Sequence, residues 1–306
     1  MITRNRPSRS RAPLEFRLPP AAVHLAVRLL PPVLLDVAKL LPFRRVLAGA
    51  PEWEYVPDGW LRTTEVGEGW NDASVVETQK RKWPAFLDAA SGTGPLAVAH
   101  EMPTPTTNDY IAHNTLMSFG YVLALTARRK DSISVLDWGS GVGHYYVLAS
   151  NLLEGVSMHY HGKDVPALCR AGRELLPQVT FHEDDESSLS RSYDLVFASG
   201  SLQYTEDWKS LVAKLARACN AYLYVTRLPT VFKMNSFVVL QRPWHAGYRT
   251  EYKGWFLNRD EFVTHAEGLG LNLVREFLVQ EKPYVANAPE QCEYRGYLFR
   301  PRRSDP

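Results

Sequence analysis

The feature that most constrains the fold is a regular alternation of short apolar segments with helical segments, which begins near residue 133 and continues to about residue 300. Seven segments have the length and composition of buried strands: 134–137, 156–161, 179–181, 193–198, 221–226, 271–279 and 294–300. Helices are predicted at 144–153, 166–176, 207–218 and 258–268. This alternation predicts an α/β fold with a doubly wound, mostly parallel seven-stranded sheet. No helix separates the last two strands, so we expect them to form an antiparallel pair.

The part of the chain before this alternation has a different composition. Residues 51–107 are rich in tryptophan and in turn formers, and we expect them to be irregular. A helix is predicted from about 108 to 128, with Asp109 or the asparagine before it as the N-cap. The sequence therefore predicts two regions: an N-terminal helical and irregular extension over 1–107 and an α/β domain over 108–306.

Positive charge is concentrated at the N-terminus. Residues 1–47 carry nine Lys and Arg side chains against two acids, while the formal net charge of the whole chain is only +2. This distribution argues against a nucleic-acid-binding protein. It predicts either peripheral contact of residues 1–47 with an anionic membrane or docking of this segment on the main domain. No feature of the sequence predicts the oligomeric state.

Cysteine usage and hydropathy indicate in which cellular compartment the protein is expected. The three cysteines are widely spaced, which predicts neither a disulfide framework nor a metal site. No apolar run reaches the roughly 20 residues that a transmembrane helix needs. We therefore expect a cytoplasmic protein, which would be peripheral at the inner membrane face if residues 1–47 bind lipid.

The strongest motif is a glycine-rich loop directly after the first predicted strand, Asp137-Trp138-Gly139-Ser140-Gly141-Val142-Gly143. Its glycines allow the backbone to turn tightly and approach a ligand, and the helix that follows offers unpaired N–H groups. A dinucleotide fingerprint needs a third small residue where this chain has His144. The carboxylate of Asp137 also suits a positively charged ligand better than a pyrophosphate.

Three further signals follow the next strands. Asp164 lies 21 residues after Gly143, close to the spacing at which an acid binds ribose hydroxyls. An acidic turn follows the third strand, where Asp184 or Asp185 would accept from an adenine amino group. The run that starts at Ser199 follows the fourth strand, at the carboxyl edge where such sheets bind ligands.

These four signals, in this order, resemble the class I S-adenosylmethionine-dependent methyltransferases over about residues 133–300. The resemblance implies S-adenosylmethionine as the cofactor. It places the methionine part on Asp137 and on the loop with Gly139, Ser140, Gly141 and Gly143. It also implies that Asp164 binds the ribose, that Asp185 or Asp184 binds the adenine, and that Ser199 lies behind the sulfonium.

A narrower resemblance involves the tryptophan-rich segment before the domain. The run Trp53 to Trp60, the pair Gly69-Trp70 and the run Ser201 to Tyr204 look like a bacterial family of methyltransferases. Its members are often found among genes for surface-polysaccharide or lipopolysaccharide assembly. This resemblance implies O-methylation of a sugar or of another small or glycan acceptor.

A hydroxyl acceptor needs a general base, for which the sequence offers two candidates, His245 and Tyr204. Two other functions stay open at this point. One is a non-catalytic cofactor-binding or scaffold module. The other is a nicotinamide-dependent oxidoreductase, against which His144, Asp137 and the antiparallel end of the sheet argue.

Overall fold

The computed structural model describes residues 50–64, 66–96 and 109–302. The basic segment 1–47, and with it the predicted membrane contact, lies outside the described residues. The predicted boundary between residues 107 and 108 also falls outside them and stays a prediction.

All elements described here belong to the compact unit Glu52–Pro306. Its strands are β1 (Trp53–Tyr55), β2 (Ser132–Trp138), β3 (Ser157–Lys163), β4 (Thr180–His182), β5 (Tyr193–Ser199), β6 (Cys219–Val231), β7 (Phe237–Gln241), β8 (Tyr252–Asn258), β9 (Leu271–Leu278) and β10 (Glu293–Pro301). Its α-helices are α1 (Ala73–Ser91), α2 (Tyr110–Ala127), α3 (His144–Leu152), α4 (Pro166–Leu175), α5 (Asp185–Ser188), α6 (Trp208–Arg217) and α7 (Arg259–Gly268). Among the described helices, none combines the length and hydropathy needed to cross a bilayer.

The seven predicted strands form the main sheet in the order β4-β3-β2-β5-β6-β10-β9. Strands β2 to β6 run parallel to one another, and β10 is antiparallel to both β6 and β9. Helices cover both faces, with Phe119 of α2 and Leu148 of α3 buried on one face and Leu211 of α6 and Phe262 of α7 on the other. The predicted doubly wound α/β fold and its antiparallel end are therefore confirmed.

Three strands that the sequence analysis did not predict add a small antiparallel sheet. Strand β7 pairs with both β1 and β8. Strand β8 joins the main sheet because Leu257 and Asn258 pair in parallel with Thr230 and Val231, at the end of β6. Since β6 is 13 residues long, it extends past the end of β5 and carries this sheet beyond the carboxyl edge of the parallel strands.

Helix α1 corrects the prediction that residues 51–107 are irregular. It is 19 residues long and begins after Asp72, whose side chain accepts from the backbone N–H of Ser74. Its buried positions include polar residues as well as apolar ones, namely Val75, Thr78, Gln79, Trp83, Phe86 and Ala90. Because polar residues occupy part of the buried face and Pro84 lies inside the helix, the apolar residues alone do not show a helical periodicity.

Two predicted helix caps are confirmed. The side chain of Asp109 accepts from Ile111 N and Ala112 N at the start of α2. The side chain of Asn258 accepts from Asp260 N and Glu261 N at the start of α7. Both caps satisfy backbone donors that have no partner within the helix.

Candidate active site

The glycine-rich loop joins β2 to α3 at the carboxyl edge of the sheet and is tied to the end of β3. The backbone N–H groups of Gly139 and Ser140 donate to the carbonyl of Lys163 at 2.8 and 3.1 Å. The N–H of Gly141 donates to Oδ2 of Asp164 at 2.7 Å. Gly139 has φ of +83°, and a Cβ at this position would lie 2.2 Å from Cβ of Ser201. The loop therefore requires glycine at residue 139 for its conformation and for its close packing.

A cavity of about 370 Å³ lies over this loop, at the ends of β2, β3 and β5. Most of the predicted site residues line it, namely Gly139, Ser140, Gly141, Asp164, Asp185, Ser199 and Tyr204. Residues that are up to 65 positions apart in the sequence therefore line the same cavity. This position matches the rule that ligands of open α/β sheets bind beyond the carboxyl ends of the strands.

The two acids in this cavity have different environments. Asp164 accepts from the backbone N–H groups of Gly141 and Val165, both at 2.7 Å. Burial nevertheless raises its pKa to about 6. Asp185 accepts from the indole N–H of Trp138 at 3.2 Å and lies 3.1 Å from Nζ of Lys163. Although burial opposes it, the charge of Lys163 holds the pKa of Asp185 below its ordinary value.

Three of the residues predicted to bind the cofactor do not line the cavity. Asp184 is exposed and caps α5 by accepting from Ser187 N at 2.7 Å. Gly143 packs away from the cavity, where a Cβ would meet the side chains of Leu176 and Phe181. Asp137 is fully buried behind the loop. Of the two acids proposed for adenine, only Asp185 therefore faces the cavity.

Asp137 is a buried carboxylate with one partner. Its Oδ2 accepts from the hydroxyl of Tyr160 at 2.8 Å, while Oδ1 has no hydrogen-bond partner among the described residues. Burial raises the pKa of Asp137 to about 7. Its negative charge at neutral pH is therefore poorly compensated by the protein and would be stabilised by a cation bound at the loop.

Several residues in the cavity wall were missed by the sequence analysis as site residues. Trp70, from the loop before α1, and Gln79, from α1 itself, line the cavity together with Tyr145 of α3. Oε1 of Gln79 lies 3.1 Å from an ideal Cβ built on Gly141, and it has no hydrogen-bond partner among the described residues. No spacing rule links α1 to the loop, so only the fold reveals Gln79.

A second cavity of about 150 Å³ shares a wall with the first. Five residues line both cavities, namely Trp70, His144, Tyr145, Gly200 and Tyr204. His245 lines only the second cavity, and its Nδ1 lies 3.2 Å from Oε2 of Glu52. Tyr204 donates from its hydroxyl to Oε1 of Gln241 at 2.7 Å. The two candidate bases thus face the same cavity from different elements.

The second cavity combines aromatic faces with charged groups. Trp70 stacks on Tyr252 with ring centroids 4.3 Å apart, and Tyr204 and Tyr248 pack edge-on against the same tryptophan. Arg227 pairs with Glu281 at 3.0 Å on another wall of this cavity. Arg227 has φ of +49°, in the left-handed region that few non-glycine residues adopt, at the irregular part of the β6–β10 pairing. Such backbone strain is concentrated at functional sites.

A buried ion-pair network supports the segment that carries His245. Arg242, at the end of β7, contacts Oε1 of Glu251 at 2.9 Å and Oε2 of Glu54 at 3.0 Å. The backbone N–H of Arg242 donates to the carbonyl of Glu52 at 2.7 Å. The backbone of Glu52 is thus hydrogen-bonded to Arg242, three residues before His245.

A comparison with protein-family models identifies the chain. The model of the methyltransferase domain matches residues 112–276, which is more than half of the chain. The chain belongs to this methyltransferase family. The protein is therefore a methyltransferase that uses S-adenosylmethionine.

Comparisons with other proteins add likenesses of fold. The methyltransferase is 16% identical to the CcbJ methyltransferase from Streptomyces caelestis, with a TM-score of 0.43 over 60% of this chain and 89% of that one. It is 16% identical to a methyltransferase from Methanosarcina mazei, with a TM-score of 0.44 over 58% of this chain and 96% of that one. A methyltransferase from Clostridium acetobutylicum is 12% identical, with a TM-score of 0.42 over 62% and 92% of the two chains. No curated protein sequence matches the chain.

The environment of Asp137 predicts a specific pH dependence of the methyltransferase's stability. The folded state holds this proton up to a pH of about 7, whereas the unfolded chain releases it near the ordinary value of 3.8. Between these values the folded state binds more protons, so the contribution of Asp137 to the free energy of unfolding decreases as the pH rises. Asp137→Asn removes this titration. We expect the stability of the variant relative to the wild type to increase as the pH rises from about 4 to about 7.

Melting temperatures of the two ligand-free proteins across this range measure the effect. Burial also lowers the pKa of the buried His161 and of the half-buried His182, but both proteins contain these histidines, so their contribution cancels in the difference. A difference that is the same at every pH would show that Asp137 titrates as an ordinary carboxyl. The affinity of the variant for S-adenosylhomocysteine should fall as well, since the ligand ammonium loses a nearby negative charge.

Replacing Asp164 by alanine is expected to weaken binding of S-adenosylhomocysteine by about 1.5–3 kcal/mol, the range for hydrogen bonds to charged groups. The ligand-free protein should also lose stability, because the N–H groups of Gly141 and Val165 lose their acceptor. Calorimetric titration and thermal unfolding measure the two effects. Asp184→Ala is the matched control, since this exposed carboxylate caps a short helix outside the cavity. Equal affinities of both variants would show that Asp164 does not bind the cofactor.

Proposed function

We propose that the methyltransferase transfers the methyl group of S-adenosylmethionine to a hydroxyl of a sugar or glycan acceptor, with His245 as the general base. The observation that carries this proposal is the contact between Nδ1 of His245 and Oε2 of Glu52, which lie 3.2 Å apart. This contact lies in the second cavity, which we call the acceptor cavity, and it borders the first cavity, which we call the cofactor cavity. A carboxylate that accepts from Nδ1 fixes the tautomer in which Nε2 has a free lone pair. That lone pair is the group that would take the proton of an acceptor hydroxyl.

The geometry of the first cavity suggests how the cofactor is held. The methionine part would lie along the backbone of Gly139 to Gly141, in front of the buried charge of Asp137. Asp164 would accept from the ribose hydroxyls with the lone pairs that its two backbone donors leave available. Asp185 is favoured over Asp184 for the adenine amino group because Asp185 lines the cavity. Ser199 would lie behind the sulfonium.

The wall between the two cavities is the place for methyl transfer. When bound, the cofactor supplies a methyl group that is already activated on a sulfonium. The protein therefore has to align the acceptor in line with that methyl group and to exclude water. Trp70, Tyr145 and Tyr204 supply aromatic surface at this wall, which favours a cationic sulfonium.

The lining of the second cavity favours a polyhydroxylated acceptor. Aromatic side chains such as Trp70 and Tyr252 offer flat apolar surface for the C–H face of a sugar ring. Gln203 is almost fully buried there, and its Oε1 has no hydrogen-bond partner among the described residues. Buried polar groups are normally paired, so an acceptor hydroxyl would supply the missing donor.

Of the two candidate bases, the contacts favour His245. The hydroxyl proton of Tyr204 is directed to Gln241, so Tyr204 is arranged as a donor in its own hydrogen bond. His245 instead has a carboxylate beside its other ring nitrogen. Tyr204 would then serve the acceptor mainly through packing and through its hydroxyl oxygen.

A glycan acceptor is consistent with the sequence-based expectation of a bacterial enzyme of surface-polysaccharide assembly.

The expectation that residues 1–47 contact the inner face of an anionic membrane also stays a proposal. Sedimentation with anionic vesicles across a salt series tests it, because charge-driven attachment weakens as salt shortens the Debye length.

The acceptor itself can be found with a labelled methyl donor. Cell extract is incubated with the protein and S-adenosylmethionine that carries an isotopic methyl label, and labelled products are resolved by mass spectrometry. We expect a labelled carbohydrate with the methyl group on oxygen. Label on nitrogen or carbon would contradict O-methylation. A protein that binds the cofactor but labels nothing would favour the non-catalytic module instead.

A further inference from the structure

A third space, an open cleft of about 340 Å³, lies next to the acceptor cavity. Its walls include the side chains of Arg81, Arg249 and Trp244 and the backbone of Gly247. Tyr248 lines both the cleft and the acceptor cavity. The segment of residues 243–249 therefore contributes to the walls of both spaces.

Neighbouring residues of this segment face opposite sides. Pro243, His245 and Ala246 line the acceptor cavity, whereas Trp244, Gly247 and Arg249 line the cleft. His245 is 56% exposed, so the acceptor cavity is open to solvent beside the proposed base. A substituent of the acceptor would leave through this opening, next to Trp244 of the cleft.

The cleft is positively charged. Arg81 and Arg249 are exposed, and no carboxylate of the described residues forms an ion pair with either guanidinium. The pKa of Asp72 is lowered by its hydrogen bonds to Ser74 and, to a smaller extent, by the charge of Arg249. The carboxylate of Asp72 accepts from the N–H and from the hydroxyl of Ser74. Lys82 adds a third cation nearby and donates to the carbonyl of Ala246.

Thr78 and the backbone of Gly247 contact the guanidinium of Arg81. Its Nη2 lies 3.4 Å from Oγ1 of Thr78, and a Cβ built on Gly247 would lie 3.3 Å from the same nitrogen. The Thr78 hydroxyl in turn donates to the carbonyl of Gly247 at 3.3 Å. The guanidinium of Arg81 is thus packed against the backbone of Gly247, and Arg81 also lines the cleft.

We propose that this cleft binds the diphosphate group through which the acceptor sugar is attached to its carrier. The inference rests on the proposed glycan acceptor. Arginine is suited to this role because its planar guanidinium binds two oxygens of a phosphate at once. Trp244, which is 46% exposed, lies beside the two arginines and offers flat surface for the adjoining part of the carrier. The shared chemistry is a sugar diphosphate, whether the carrier is a nucleoside or a polyprenyl lipid.

Calorimetric titration with inorganic pyrophosphate, uridine diphosphate and vesicles that contain a polyprenyl diphosphate tests this cleft in the full-length protein. The doubly substituted R81A/R249A protein should bind the preferred probe at least about tenfold more weakly than the wild type, and the difference should shrink in high salt. Arg275→Ala is the matched control, because it removes an exposed arginine of strand β9 that has no ion pair among the described residues. We expect it to bind like the wild type.

Two outcomes would overturn the inference: none of the three probes binds the wild type, or the double variant binds them as tightly as the wild type does. Tighter binding of uridine diphosphate than of pyrophosphate would indicate a nucleoside carrier, and tighter binding of the vesicles a lipid carrier; both support the site. The affinity for S-adenosylhomocysteine is measured in the same samples. It reports on folding and on the cofactor cavity, whereas the labelled-methyl experiment reports on the proposed function. A labelled carbohydrate without binding of any of the three probes would overturn this inference alone, and label only on nitrogen or carbon would overturn the proposed function.

Discussion

Replacing His245 by alanine is expected to lower kcat by about 100- to 10,000-fold, the range that general-base catalysis contributes. The acceptor hydroxyl would have to lose its proton to water while the methyl group is transferred. The affinity for S-adenosylhomocysteine should stay the same, because His245 lines only the acceptor cavity. Rates are measured with the labelled methyl donor and the acceptor that the extract experiment identifies.

Three further variants separate this role from a structural one. Glu52→Gln keeps a hydrogen-bond acceptor beside Nδ1 but removes its charge, so we expect a smaller loss of kcat than in His245→Ala. Tyr204→Phe should retain most of the rate if Tyr204 is not the base. His265→Ala is the matched control, since this histidine contacts the backbone of Lys209 on the opposite face of the sheet. A His245→Ala protein with the wild-type rate would remove His245 from the mechanism.

Replacing Gly139 by alanine is expected to give the second large effect. The new Cβ would lie 2.2 Å from Cβ of Ser201, and the backbone would keep a left-handed φ of +83°. Left-handed strain and overpacking together should cost about 2–5 kcal/mol of the free energy of unfolding. The loop would have to move away from Ser201 together with its N–H groups, so we also expect methyl transfer to fall by about 100-fold.

Gly155 provides the control for Gly139→Ala. It has a similar φ of +80°, and nothing lies within 4 Å of a Cβ at its position. Gly155→Ala therefore reports the conformational strain alone, which should be about 1–2 kcal/mol with no change in cofactor affinity. Thermal unfolding and calorimetry on both variants isolate the close approach to Ser201. Equal effects of the two substitutions would show that this contact is easily relieved.

The parts of the fold that could be predicted are those with a local signal. The buried strands of the main sheet are short apolar runs separated by amphipathic helices, so their order and type follow from hydrophobic periodicity. The residues at the ends of these strands could also be predicted to meet, because parallel strands present their carboxyl ends at one edge. This reasoning brought Gly139, Asp164, Asp185 and Ser199 to one cavity.

The parts that could not be predicted depend on contacts between distant segments. Strands β1, β7 and β8 join the main sheet through the part of β6 that extends past β5, and no local pattern predicts that extension. Gln79 reaches the cofactor cavity because α1 packs over the glycine loop. Asp184 and Asp185 are adjacent in sequence but have different roles at the start of α5. Asp184 caps this helix, whereas Asp185 accepts from the indole N–H of Trp138. The contact between Glu52 and His245 joins residues that are 193 positions apart.

Calorimetric titration of the wild-type protein with S-adenosylmethionine, S-adenosylhomocysteine and NAD tests the central claim, that the cavity over the glycine loop is a methyltransferase cofactor site. The account predicts that both sulfur-containing ligands bind with micromolar dissociation constants, corresponding to about 8 kcal/mol, and that NAD does not compete with them. Binding of NAD alone would contradict it.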